Sequence, residues 1–210
     1  MTTTNNYHLA LLALAIAFIL RSVILRLYRG AAGAGIPAST ASRRRRLGAW
    51  WHNRRVSRKY GHRRRQRQSQ RVIVRLREIQ GDEGQCFARR LAYLRKIDPL
   101  VFEEVVLDAY ERRGHTILRS ARYSGDGGID GRVLVDDEWR GVQCKRYRRE
   151  IKWEHIEQFP RDLAREGLSA GFFVHTGRTP PGHRWPAGVE VVSGRKLLDL
   201  LIDDRGVRNA

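Results

Sequence analysis

Four polar side chains between Arg122 and Lys145, in RYSGDGGIDGRVLVDDEWRGVQCK, are of types that can do chemistry together: Asp126, Asp130, Gln143 and Lys145. A carboxylate such as Asp130, with a neighbouring amide or carbonyl oxygen, can hold a hard cation such as magnesium. A cation held there polarises a phosphate oxygen and lowers the pKa of a bound water. An ammonium such as Lys145, 15 positions after Asp130, can orient that water or neutralise charge developing on the phosphorus. Taken singly, each residue has an ordinary reading. Asp126 lies in Gly-Asp-Gly-Gly, a turn former, Asp130 suits a strand end and Gln143 a sheet face. The combination suits phosphodiester cleavage.

Two strands and their turn must position these groups. Ile129 to Val135 and Trp139 to Lys145 read as a hairpin around Asp136-Asp137-Glu138. Strand parity puts Gln143 and Lys145 on one face and Val142 and Cys144 on the other. A lysine at the end of a core strand needs a partner, and Asp130 is the expected one. Around the hairpin, Cys86 to Ile97 and Leu100 to Arg113 read as amphipathic helices, the second started by Asp98-Pro99 and ended by Gly114. His115 to Arg119 is a short strand. A helix from Lys152 must kink or restart at Pro160. Ala170 to His175 and Val189 to Val192 are strands, and Gly194 opens a last helix. The order α-β-β-β-α-β-β-α predicts an α/β sandwich with a mixed central sheet.

Charge divides the chain. The formal net charge is +19, and the first acidic residue is Glu78. Residues 1–77 hold 18 of the 41 Lys and Arg; residues 78–210 hold the other 23 against all 22 acids. The basic part, predicted to be a flexible arm over 31–77 with a helical stretch at 70–80, seeks phosphate on nucleic acid or on anionic lipid. Trp50, Trp51 and Tyr60 are interleaved with its arginines. That pattern fits stacking on nucleic acid and fits a juxtamembrane segment equally well. Before it, Leu9 to Leu20 is an unbroken apolar run, and Tyr7 to Leu25 is about long enough to span a bilayer. Arginines follow this run and none precedes it, so residues 1–30 are predicted to be a single membrane-anchor helix. Its N-terminus would lie outside and the domain over 78–210 in the cytoplasm. Two cysteines, Cys86 and Cys144, are too few for a disulfide scaffold and lack metal-ligand spacing.

Asp126-Gly-Gly-Ile-Asp130 followed by Gln143-Cys-Lys145-Arg-Tyr147 resembles the Mrr-like branch of the restriction-endonuclease superfamily. There the second acid of the PD-(D/E)XK pattern is replaced by Gln, giving D…QxK. Phe102-Glu103-Glu104-Val105-Val106 is similar to the family's first-helix FExxV signature. Gly171-Phe-Phe-Val-His175-Thr-Gly177 and Val192-Ser-Gly-Arg-Lys-Leu197-Leu198 are similar to its later strand and closing strand-to-helix turn. The resemblance covers about residues 98–204. It implies a restriction-endonuclease-like α-β-β-β-α-β core and cleavage of double-stranded DNA with Mg2+ or Mn2+ from solution. By matching position, it makes Asp130 the main metal ligand, Lys145 the catalytic lysine and Gln143 the stand-in for the second acid, able to contact metal. Glu103 would be an auxiliary ligand or structural acid, and Asp126 would shape the loop and touch metal through water. Arg146, Arg148, Arg149 and Lys152 are candidate contacts to DNA phosphate, and cutting both strands would favour a homodimer. The segment RTPPGHRWPAG after Thr176 lacks the family's usual helix, and no N-terminal modification-sensing domain is recognisable. Restriction of foreign DNA is the expected role. Repair or junction resolution on the same fold, and a non-catalytic membrane-tethered nucleic-acid binder, are its rivals.

Overall fold

A computed structural model describes residues 38–57, 60–120, 128–179 and 184–202. The chain divides into two compact units, Met1–Arg45 and Arg46–Ala210. Of the first, only residues 38–45 are described, as the start of helix α1 (Ala38–Ser57). The proposed anchor over 1–30 lies outside the described residues. Among those that are described, no helix is long and apolar enough to cross a membrane.

The second unit is built on one five-stranded sheet in the order β1 (Thr116–Arg119), β2 (Gly131–Val135), β3 (Glu138–Lys145), β4 (Gly171–His175), β5 (Val189–Val192). The first three strands are antiparallel, while β3–β4 and β4–β5 are parallel. This is the expected mixed sheet. The β2–β3 hairpin is tighter than its sequence suggested: Glu138 already belongs to β3, and Asp136 and Asp137 both take positive φ (50° and 62°). Two such residues make the turn whose twist matches the flanking strands, and aspartate tolerates that backbone region.

Helices cover both faces. On one side stand α2 (Tyr60–Glu78), α3 (Glu83–Leu94), α4 (Pro99–Arg112) and α6 (Gly194–Ile202). Phe102, Val105 and Val106 of α4 and Leu197 and Leu201 of α6 join Val133, Val142, Cys144 and Val174 of the sheet in a buried core. On the other side α5 (Trp153–Arg165) packs Ile156, Phe159 and Leu163 against Phe173 and Val189. Helix α4 starts as its sequence dictates, with the Asp98 carboxylate accepting from Leu100 N at 2.9 Å and Val101 N at 3.1 Å. Helix α5 runs through Pro160 without restarting.

The arm, expected to be flexible outside a helical stretch at 70–80, is helical from Ala38 to Ser57 and from Tyr60 to Glu78. Arginine and glutamine are good helix formers. Once helical, α2 brings Val72, Ile73 and Leu76 to the core, and its Ser69 donates to Asp108 of α4 at 2.5 Å. Helix α1 binds the outer edge of β1. Asn53 donates to Ile117 O at 2.8 Å and accepts from Arg119 N at 3.0 Å, and His52 Nε2 meets Arg119 O at 2.9 Å.

Helix α5 approaches the sheet closely only because Gly141 and Gly171 face it. A Cβ on Gly171 would lie 2.6 Å from Gly141 O and 2.8 Å from both Leu163 and Phe159 side-chain atoms. Backbone cannot yield as a side chain does, so Gly171→Ala is expected to destabilise the fold by about 1–3 kcal/mol. Gly48→Ala, in an exposed turn of α1 with nothing within 4 Å of the added carbon, should instead stabilise by about 0.5–1 kcal/mol. Urea denaturation of the two variants checks the pair; equal effects would refute the close-approach explanation.

Candidate active site at the end of strand β3

Strand β3 places its residues by parity. Val142 and Cys144 enter the α4-side core, and Gln143, paired in register with Phe173, is buried on the α5 side at 1% exposure. Lys145, level with His175 of β4, ends the strand and is partly buried. Asp130 sits just before β2, where its N–H donates to Val142 O at 2.9 Å and its O accepts from Ser120 N at 3.3 Å. Its Oδ2 accepts from Cys144 N at 2.6 Å. That main-chain bond fixes the carboxylate. The expected direct ion pair with Lys145 is not formed among the described residues; the lysine acts on Asp130 through space instead.

Glu103 reaches the same place from α4. The next residue, Glu104, is turned into the protein, where it binds Arg119 Nε at 3.0 Å. Glu103, about 100° around the helix, stays partly buried and feels Asp130, Glu104, Lys145 and Arg65. Burial first, then Asp130 and Glu104, pushes its carboxyl up to about 8. Burial pushes Asp130 up to about 7 against the opposing pull of the Cys144 N–H and Lys145. Cys144 lies behind them and its thiol is pushed well up, by burial and then by Asp130 and Glu103. It is therefore inert packing, as its parity implied. Glu103, Asp130 and Lys145 thus share one electrostatic neighbourhood.

Gln143 donates through Nε2 to Gly128 O at 3.2 Å, tying β3 to the loop before Asp130. Asp126 lies outside the described residues. Arg148, Arg149 and Lys152 are exposed on the β3–α5 connection. Arg146 is not available in the same way, because it is partly buried and donates to Arg95 O at 2.6 Å. Arg95 in turn donates to Thr176 O at 2.8 Å. The connection is strapped down by Thr176 Oγ1 donating to Tyr147 O at 2.8 Å and by Arg178 N donating to Arg149 O at 2.9 Å.

Two neighbours of the site carried no legible sequence signal. Arg65 is hidden in a run of arginines, yet it acts on Glu103. His155, one of the chain's seven histidines, meets the Tyr147 hydroxyl through Nδ1 at 2.6 Å with the rings stacked. Burial, then Lys145 and Lys152, lowers its pKa, while burial raises Tyr147 to about 12. Fold proximity, not spacing, links both residues to Lys145 and Glu103.

Among the described residues no three His, Cys, Asp or Glu side chains gather as a metal-binding group. The donor set nonetheless fits a hard divalent cation. Two carboxylates are crowded into a partly buried place where one lysine leaves both pushed towards protonation. Oxygen donors with excess negative charge are what magnesium or manganese takes. Asp130 and Glu103 would hold it, with amide or main-chain oxygens completing the shell.

The sign of the pH dependence follows. Unfolded, these carboxyls ionise near pH 4; folded, Asp130 and Glu103 keep their protons to about 7 and about 8. The folded state therefore binds more protons in between, and stability from these groups falls as pH rises from about 4 to about 8. In chelator, Asp130→Asn should melt progressively higher than the wild type as pH is raised from 5 to 8.5, by about 2–8 °C at the top. A difference in Tm that does not vary with pH would refute the shift.

A family model described as Mrr_cat, restriction endonuclease, matches residues 94–201, close to the 98–204 marked by the motifs. No curated protein and no solved structure matches the chain. The match spans just over half of the 210 residues and includes the Asp130–Gln143–Lys145 hairpin, and the chain belongs to the Mrr-like restriction endonuclease family.

Proposed function

We propose that the protein is a metal-dependent endonuclease that hydrolyses phosphodiester bonds of double-stranded DNA in restriction of foreign DNA. The observation that carries this reading is the convergence of Glu103, Asp130 and Lys145 at the end of β3, with both carboxyls raised by burial and Glu103 raised further by Asp130. Magnesium or manganese, when bound by Asp130 and Glu103, supplies charge for the phosphate and acidity for a water. Lys145 neutralises negative charge that grows on the phosphate oxygens as water attacks. Gln143, anchored to Gly128 O, holds the loop that presents Asp130. Arg148, Arg149 and Lys152, exposed beside the site, bind flanking phosphates and place the strand. In this reading residues 1–30 tether the chain to a membrane with the domain on the cytoplasmic side, supported by the apolar run and the arginines that follow it.

Supercoiled plasmid with the full chain and Mg2+ tests this. Nicking or linearisation is expected, abolished by chelator. Lys145→Ala and Asp130→Ala should each lower the rate by at least about 10²-fold while DNA binding persists. A wild-type protein that binds plasmid and never cuts it, in Mg2+ or Mn2+, would refute the enzyme reading.

A further inference from the structure

Helix α1 presents one face to the fold and another to solvent. Ala49 and Val56 are buried and His52 and Asn53 bind β1, so one side is used by the fold. The other exposes Leu47 (61%), Trp50 (50%) and Trp51 (64%). These are three of the four large apolar side chains left exposed among the described residues. Arg46, Arg54 and Arg55 flank them, all exposed, with the Arg54 guanidinium 5.1 Å from the centre of the Trp50 ring. No acidic residue occurs in the chain before Glu78. Two indoles and a leucine bordered by arginines form a surface that is apolar in the middle and cationic at its rims.

We propose that this face of α1 lies on an anionic lipid surface, with Leu47, Trp50 and Trp51 at the headgroup boundary and Arg46, Arg54 and Arg55 on lipid phosphates. The helix is not apolar enough to cross a bilayer, so this face can meet a lipid surface only from its side. Tryptophan favours that depth because its ring is apolar and its N–H polar. Each arginine near such a surface adds attraction to the anionic headgroups. Duplex DNA is the less suitable occupant. Its phosphates attract the arginines equally, but its stacked bases offer no apolar layer to Leu47 and the indoles. The chain before α1 adds continuity, since Leu47 follows the apolar run ending at Leu25 by 22 positions. The assignment rests on α1 and is independent of the cleavage chemistry.

Tryptophan emission of the full chain tests it, because residues 1–30 contain no tryptophan and their insertion alone leaves the emission unchanged. Phosphatidylglycerol vesicles with brominated acyl chains should blue-shift and partly quench the emission. Phosphatidylcholine vesicles of the same size should have little effect. The variant Trp50→Phe with Trp51→Phe, which keeps the face apolar and leaves Trp139, Trp153 and Trp185, should lose the quenching and keep its fold and plasmid cleavage. Quenching that persists in this variant would overturn the assignment. So would equal quenching by neutral vesicles, or emission that responds to plasmid DNA and not to vesicles.

Discussion

A buried guanidinium holds this molecule in register. Arg119, 5% exposed at the end of the edge strand, meets Glu104 and Glu111 at 3.0 and 2.9 Å and also binds Asp108, all three on α4. Glu104 is further approached by His62 of α2 at 3.5 Å. A charge so deep in the protein is tolerable only with partners of opposite sign. The three carboxylates stand four and three residues apart, so they line one stripe of α4. Engaging that stripe fixes the rotation of the helix about its axis. With Glu104 committed to Arg119, Glu103 can face only the rim where Asp130 and Lys145 lie. The geometry of the candidate site therefore depends on an ion cluster centred outside it.

Much of this was legible in the chain because the relevant signals are local. Asp98-Pro99 marks a helix start that the carboxylate then caps, and alternation in β3 correctly separates Val142 and Cys144 from Gln143. What the sequence hid depends on distant contacts. Asn53 and Arg119 are 66 positions apart, so nothing near the arginine-rich stretch announces that it folds onto a strand. Its charge suggested a flexible arm, whereas its helix-forming residues and the apolar Val72, Ile73 and Leu76 decided otherwise. Likewise Arg146 looked equivalent to Arg148 and Arg149, yet its turn towards Arg95 O removes it from the exposed set. His155 gains its place beside Lys145 only because α5 folds back under β3.

The candidate site is also a place where local electrostatic comfort is given up. Asp130 and Glu103 are raised by the environment that gathers them, which is unfavourable for the empty protein at neutral pH. Such frustration is the usual mark of a site arranged for a charged ligand and not for its own stability. The buried core and the main-chain bond from Cys144 N hold the arrangement in place.

Asn53 has a consequence for assembly. An edge strand with bare N–H and C=O groups invites another strand to extend the sheet. By occupying Ile117 O and Arg119 N with one side-chain amide, and Arg119 O with His52, helix α1 leaves β1 without a template for strand addition. A second copy of this chain brought in to cut the opposite DNA strand would have to join through side-chain surfaces elsewhere, and not by continuing the sheet across β1.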